Sequence, residues 1–114
     1  MTSKVAILLA GYDGKKYIQE QVFSLLNQKE VLVEIFIRID GQEKKFIELA
    51  VNLENQFENI HYIKGDILSS SSKNFYNLIL GMKRDDFDYY ALCDQDDIWL
   101  DKKLINAISN FNDN

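Results

Sequence analysis

The chain has 114 residues, of which 46% are hydrophobic and 27% charged, values typical of one globular domain with one core. No apolar run approaches the ~20 residues of a membrane span, and no N-terminal segment resembles a signal peptide. A formal net charge of −5 argues against an interface with nucleic acid or an anionic membrane, because both require basic patches. The single cysteine, Cys93, rules out an internal disulfide, and a reducing cytosol fits this count.

Apolar strands and amphipathic helices alternate from the N-terminus. The run KVAILLA (4–10) predicts a buried strand that ends at Gly11. Apolar residues at helical spacing then predict a helix over 15–28, followed by a second strand over 31–39. A second helix follows on the apolar stripe Phe46, Ala50, Leu53 and Phe57.

The second half of the chain continues the alternation. Residues 60–64 predict a short third strand, and 89–93 predict a fourth, buried strand that contains Cys93. The last helix is predicted to start near Asp101, which would be its N-cap. We expect His61 to be structural or exposed and Trp99 to anchor packing. The predicted helix stripes are Phe75, Leu78, Ile79 and Met82 for the third helix and Leu104, Ile105, Ile108 and Phe111 for the last.

This alternation predicts an α/β fold, a Rossmann-like three-layer α/β/α arrangement with a mainly parallel sheet and right-handed crossovers. Ligands of such sheets bind beyond the carboxyl ends of the strands, near a topological switch point. Polar residues follow three of the predicted strands, at Tyr12-Asp13, Asp40-Gly41 and 94–97. We therefore expect these segments to meet at one edge of the sheet.

The most distinctive stretch is Asp94-Gln95-Asp96-Asp97, which places three carboxylates within four residues directly after a strand. Like charges placed together cost free energy unless a positive group offsets them. A hard divalent cation does so while keeping open positions for a phosphate. The D-x-D spacing predicts that one or both of Asp94 and Asp96 hold Mg²⁺ or Mn²⁺ against a nucleotide diphosphate. The alternative is a solvated acidic loop in which Asp97 caps a turn.

The other strand-end segments carry candidate nucleotide contacts. Asp40 can accept a hydrogen bond from the imide N–H of uracil or thymine, or form a simple turn with Gly41. Tyr12 can stack on a base or pack on the core. Asp13 can accept from ribose or base, or cap the helix that follows.

Lys73 and Asn74 precede the third predicted helix. They can place a cation and an amide near phosphates, since a helix N-terminus favours anions. The alternative is a surface lysine followed by an ordinary N-terminal polar residue.

Together these motifs resemble the nucleotide-binding half of glycosyltransferase family 2, the inverting enzymes of the GT-A fold. VAILLAGYDGKKYIQEQVFSLLNQ resembles the family's opening strand, Tyr-Asn/Asp-Gly loop and helix ending in Leu-Leu-Asn-Gln. FIRIDG resembles its strand ending in Asp-Asp-Gly, and YYALCDQDDIWLDKKL is similar to the D-x-D block of the rhamnosyltransferase-like subgroup. The similarity spans essentially all 114 residues.

The resemblance implies that 1–114 form one donor-binding domain for a UDP- or dTDP-linked sugar, with Mn²⁺ or Mg²⁺ as cofactor. The sugar would pass to a glycan acceptor in bacterial surface polysaccharide synthesis. Asp96 is implied to be the stronger candidate for direct metal contact, and Asp40 to hydrogen-bond the base. The implied nucleotide-binding positions are Tyr12, Asp13, Asp40, Lys73, Asn74 and Asp94, and the implied metal positions are Asp96 and Asp94.

The sequence departs from the family pattern at three positions. Ala10-Gly11 replaces the usual Pro/Ala-Thr, Ile39 replaces the first Asp of the Asp-Asp pair, and Asp101 replaces a common proline.

The larger departure is length. The family's second half carries the acceptor site and a carboxylate general base, and no residue of this chain can be assigned as that base. We therefore expect a GT-A fold truncated after the D-x-D helix, in a piece of a longer enzyme or in a naturally short or split protein. A cytoplasmic location is expected, with peripheral attachment to the inner membrane left open for the full-length protein.

Two other functions stay open. A non-catalytic or split-enzyme module of the same fold would bind a partner chain, or itself, through the apolar surface left by the missing half. A phosphotransfer or phosphatase-like domain would also use clustered acids with Mg²⁺. That chemistry needs a nucleophilic Asp at the end of the first strand, and Gly11-Tyr12 displaces Asp13 from that position.

Overall fold

From residue 3 to residue 63, strands and helices alternate as the sequence predicts. The computed structural model describes residues 2–12, 18–40, 44–63, 87–94 and 98–112. The helix predicted on the stripe from Phe75 to Met82 lies outside these ranges. The described elements are β1 (Ser3–Tyr12), α1 (Ile18–Leu26), β2 (Val31–Asp40), α2 (Lys44–Gln56), β3 (Ile60–Ile63), β4 (Tyr89–Asp94) and α3 (Lys103–Asn112).

The four described strands form one sheet in the order β3-β2-β1-β4, and each neighbouring pair is parallel. This confirms the predicted α/β class and parallel sheet. The chain moves outward from β1 through β2 to β3, whereas β4 lies on the other side of β1. The strand order therefore reverses between β1 and β4, and such a reversal creates a ligand crevice at the carboxyl ends of the strands.

Side-chain alternation gives the sheet two faces with separate apolar clusters. On the first face, Val5, Ile7 and Leu9 of β1 lie in a large cluster with side chains of α1, α2 and α3. On the second face, Ala6 and Leu8 lie in a smaller cluster with other strand and loop residues. The helix residues of the large cluster are Ile18, Val22, Leu25, Phe46, Ala50, Leu53, Leu104 and Ile108. Among the described residues, helices thus cover the first face.

The ends and burial of two strands differ from the prediction. β1 continues through Gly11 to Tyr12 because both residues pair with β2, so the predicted strand end at Gly11 is wrong. β4 is buried on its first face only, where Cys93 is fully buried. Tyr90 is 46% and Leu92 52% exposed on the other face, which contradicts the prediction of a fully buried strand.

The start of α3 also differs from the prediction. Asp101 is not its N-cap, because the helix begins at Lys103 and the Asp101 carboxylate lies 3.3 Å from the Lys29 ammonium. The Leu104 amide donates instead to Oε1 of Gln28, at 3.0 Å. A side chain from the turn after α1 therefore satisfies an amide that would otherwise lack a partner at the start of α3.

Within the described ranges, most residues of the predicted helix stripes are buried, and Phe111 is a clear exception. Leu104 and Ile108 are buried and Ile105 is half-buried, but Phe111 is 74% exposed and the prediction that it points inward is wrong. Phe57 is half-buried and packs against the large cluster. None of the helices in the described ranges is long and apolar enough to cross a membrane.

Candidate functional site

Three predicted site residues end three neighbouring strands at the same edge of the sheet. Tyr12 ends β1, Asp40 ends β2 and Asp94 ends β4, and the strands are parallel. We call this edge the rim. The register aligns Tyr12 with Asp40 on the adjacent strand, so their backbones are one inter-strand spacing apart, about 4.8 Å.

Asp94 approaches the rim from the opposite side of β1. Its backbone is aligned with Ala10, two residues before Tyr12. Two inter-strand spacings and two residues of rise therefore separate Asp94 from Asp40, a distance of about 12 Å. The gap falls where the strand order reverses, so the rim frames the crevice that the topology predicts.

The remaining predicted site residues fall outside the described ranges. These residues are Asp13, Lys73, Asn74 and Asp96. Across the part of the chain that is described, no group of three or more His, Cys, Asp or Glu side chains could hold a metal ion. The metal ligands predicted from D-x-D therefore stay a prediction.

A row of polar side chains on α1 and on the turn after it meets the segment just before the acidic cluster. Gln21 and Ser24 are three residues apart on one side of α1, and Gln28 lies two residues beyond the end of the helix at Leu26. We call them the polar stripe. Gln21 is 1% exposed, and its Nε2 donates to Sγ of Cys93 at 3.3 Å. Cys93 is thus a buried small residue, as predicted, and it immediately precedes Asp94.

The rest of the polar stripe meets the segment just after the acidic cluster. Oγ of Ser24 accepts from the Trp99 amide at 3.2 Å. Nε2 of Gln28 donates to the Leu100 carbonyl at 2.7 Å, and Oε1 of Gln28 accepts from the Leu104 amide at 3.0 Å. The polar stripe therefore contacts the chain on both sides of 94–97.

The segment after the acidic cluster is also held by packing and by a second backbone contact. Trp99 is 7% exposed within the large cluster, which confirms its prediction as a packing anchor. The Lys103 ammonium lies 5.1 Å from the centre of the Trp99 indole ring. The Lys29 amide donates to the Asp101 carbonyl at 2.7 Å. These contacts fix 98–104 to the end of α1.

A buried cation lies near the rim and was not predicted as a site residue. Arg38 is 9% exposed and precedes Asp40 by two residues, and its backbone is aligned with Ala10 and Ile63. Burial raises the pKa of Tyr62 above its ordinary value, whereas the Arg38 charge acts in the opposite direction. Arg38 thus places a buried basic residue on β2 two residues before the rim. A basic residue inside an apolar strand run was the available sequence signal.

His61 belongs to a separate contact on the second face. Its ring stacks on Phe36 with centroids 4.8 Å apart, and Nε2 lies 3.3 Å from Oε1 of Glu34. The residue is half-buried, in agreement with its prediction as structural.

An apolar groove of about 200 Å³ lies between β4 and α3, towards the opposite end of the strands from the rim. Its lining includes Val5, Tyr89, Leu104 and Phe111. Because it has almost no polar lining, it does not extend the acidic site.

The comparisons with known proteins agree with this architecture. The family model described as "Glycosyl transferase family 2" matches residues 7–114. The chain therefore belongs to glycosyltransferase family 2, and the parallel sheet with its helices is consistent with a Rossmann-like GT-A fold. The resemblance read from the opening block, FIRIDG and the D-x-D block is confirmed.

A curated relative supports the rhamnosyltransferase-like subgroup. The chain is 33% identical over 102 residues to a dTDP-rhamnosyl transferase, RfbG, from Shigella flexneri. The aligned region covers 88% of this chain and 35% of that relative. The chain thus spans about a third of the length of the relative.

The departure at Ile39 has a structural account. Ile39 is 2% exposed and lies in the large cluster of the first face. A carboxylate there would be removed from water into apolar surroundings, at a cost that isoleucine avoids. Asp40, the acid retained from the family pair, ends β2 at the rim.

Proposed function

We propose that this chain is the donor-binding part of an inverting glycosyltransferase that uses a UDP- or dTDP-linked sugar. The observation that carries the proposal is the rim, where the ends of β1, β2 and β4 bring Tyr12, Asp40 and Asp94 to the reversal in strand order. Membership of glycosyltransferase family 2 supports the reaction class. The name of the relative, a dTDP-rhamnosyl transferase, favours a dTDP-linked donor.

The β1–β2 side of the rim would bind the base. Asp40 would accept a hydrogen bond from the imide N–H that uracil and thymine share. Tyr12, whose backbone is aligned with that of Asp40, would stack on the ring. Asp13 follows Tyr12 directly and would accept from ribose or base. This assignment selects bases with a ring N–H donor and disfavours cytosine, which has an acceptor there.

The β4 side of the rim would bind the diphosphate together with a divalent metal. The donor set fits this group, since Asp94 and Asp96 offer the hard oxygen ligands that Mg²⁺ and Mn²⁺ take. The described contacts at Cys93 and Trp99 tie both flanks of 94–97 to α1. The bound metal would neutralise charge that develops on the diphosphate. Lys73 and Asn74 would add a cation and an amide near the phosphates.

The reaction needs one group beyond those assigned here. The acceptor oxygen forms a bond to the anomeric carbon while the bond from that carbon to the diphosphate breaks, and a general base takes the hydroxyl proton. We assign no residue of this chain to that base. In the proposal, 1–114 are the donor domain, further polypeptide supplies the acceptor site, and the acceptor is a glycan of a bacterial surface polysaccharide.

Calorimetry on the purified chain with Mn²⁺ tests the base assignment without requiring turnover. UDP and dTDP should bind, and CDP should bind about tenfold or more weakly, because a hydrogen bond to a charged group contributes about 1.5–3 kcal/mol. Asp40→Ala should remove most of this preference. Glu58→Ala, at an exposed turn residue before β3, is the matched control and should retain it. Equal affinity of the wild-type protein for UDP and CDP would refute the proposed base site.

One observation favours a second candidate function, a non-catalytic or split-enzyme module. β4 and α3 expose large apolar side chains that line the apolar groove, with Tyr90 46% and Phe111 74% exposed. Such a patch is typical of a surface that docks polypeptide. Size-exclusion chromatography with light scattering distinguishes the cases, since a monomer at all concentrations would count against the module and self-association would support it.

A further inference from the structure

We infer that the polar stripe (Gln21 and Ser24 of α1, and Gln28 of the turn after it) positions the acidic residues 94–97 for metal and nucleotide binding. This inference rests on the proposed function, because it assigns a role relative to that site. The three side chains themselves touch neither the proposed metal nor the donor. They would act through the backbone on either side of the cluster, as positioning residues.

The contacts of the polar stripe lie on both sides of the acidic cluster in the sequence. Gln21 contacts Cys93, one residue before Asp94, and Ser24 contacts Trp99, two residues after Asp97. Gln28 adds contacts to Leu100 and Leu104. Residues of α1 and of the turn after it therefore contact the chain both before and after the cluster.

The burial of these groups shows why the contacts are specific. Gln21 is 1% and Gln28 6% exposed, and buried polar groups are stable only where their hydrogen bonds are made. Oγ of Ser24 both accepts from the Trp99 amide and donates to the Gln21 carbonyl at 2.6 Å. A displaced segment would leave several of these groups without partners, so the network selects one arrangement of the chain beside the acids.

Loss of these contacts should weaken metal binding. Carboxylate ligands need partners that fix their orientation, and loss of such support typically costs about 10- to 100-fold in metal affinity. Gln28→Met removes three hydrogen bonds at similar volume, and we expect Mn²⁺–dTDP affinity to fall about tenfold. Ser24→Ala removes one contact to the segment after the cluster, the bond from the Trp99 amide, and one bond within α1, to the Gln21 carbonyl. Alanine improves helix propensity, so the variant should stay folded while binding weakens about threefold.

The experiment is calorimetry of Mn²⁺ with dTDP on wild type, both variants and Gln56→Met, a control at the exposed end of α2. All are measured at a temperature where far-UV circular dichroism shows them folded. The control should match the wild type within about twofold. Folded stripe variants that bind as tightly as the control would overturn the inference and leave the proposed function intact. A wild-type protein that binds no Mn²⁺–dTDP would refute the proposed function and the positioning role with it.

A second measurement separates positioning from general stability. Trp99 is the only tryptophan of the chain and is 7% exposed, so its fluorescence reports on the segment after the cluster. In folded Gln28→Met, acrylamide should quench Trp99 several-fold more strongly than in the control. Unchanged quenching would show that Gln28 does not hold this segment, and would overturn the inference for any binding result.

Discussion

Replacing Gln28 with methionine should lower the free energy of unfolding by about 2–4 kcal/mol. The side chain is 6% exposed, and its amide makes three hydrogen bonds, to Leu100, Ser24 and Leu104 at 2.7, 3.2 and 3.0 Å. Methionine has a similar volume, so the loss reports on hydrogen bonds more than on packing. The buried Leu104 amide would cost about 1–3 kcal/mol without a partner. Leu100 is exposed, so water can reach its carbonyl once the bond from Gln28 is gone. Loss of that hydrogen bond should therefore cost only about 1 kcal/mol.

Urea denaturation followed by circular dichroism measures this change. The midpoint should fall while the slope m stays constant, because the surface exposed on unfolding is the same. Gln56→Met makes the same chemical change at an exposed position and should alter stability by less than about 0.5 kcal/mol. A loss below about 1 kcal/mol for Gln28→Met would show that the amide bonds do not hold the start of α3 as described.

Three further predictions use the same denaturation assay. Ile35→Ala, at a fully buried site, should lose about 3–4 kcal/mol, whereas Phe111→Ser should change stability by less than about 0.5 kcal/mol; equal losses would contradict the assigned burial. Glu30→Gly should gain about 0.5–1 kcal/mol, because Glu30 has a φ of 63°; a loss would contradict this. Burial raises the pKa of Tyr62 against the opposing Arg38 charge, so its protonated form is favoured in the fold. That stability is present below pH ~10 and is lost as pH rises through the folded-state pKa. Tyr62→Phe should therefore reduce the loss of stability above pH ~10, and an unchanged alkaline profile would refute the reasoning.

The sequence predicts the order and class of the elements well because the relevant signals are local. Buried parallel strands such as β1 and β2 appear as continuous apolar runs, and helices as stripes at 3.6-residue spacing. The wrong predictions concern residues whose environment depends on distant parts of the chain. Gly11 stays in a strand because β2 pairs with it, and Leu92 is exposed on the face of β4 that the described helices do not cover. Neither fact is visible in a local window.

The rim was predictable and the polar stripe was not. Acids at the ends of parallel strands must share one edge, so Asp40 and Asp94 could be brought together from the pattern alone. Gln21 meets Cys93 across 72 residues of sequence, and a polar residue beside an apolar stripe is ordinarily solvated. The prediction of Asp101 as an N-cap is wrong for the same reason. Lys29 pairs with Asp101, and Gln28 accepts from the Leu104 amide at the start of α3, although both are distant in sequence.

The central claim is a metal-dependent nucleotide site at the β4 end of the rim. Calorimetry of dTDP with and without Mn²⁺ tests it most directly on wild type, Asp96→Asn and the control Asp88→Asn, an exposed residue at the opposite end of β4. We predict that wild type and Asp88→Asn bind dTDP only weakly without Mn²⁺ and clearly with it, and that Asp96→Asn loses roughly tenfold or more of the metal-dependent affinity. Binding that is independent of Mn²⁺, or equal in Asp96→Asn and Asp88→Asn, would contradict the account.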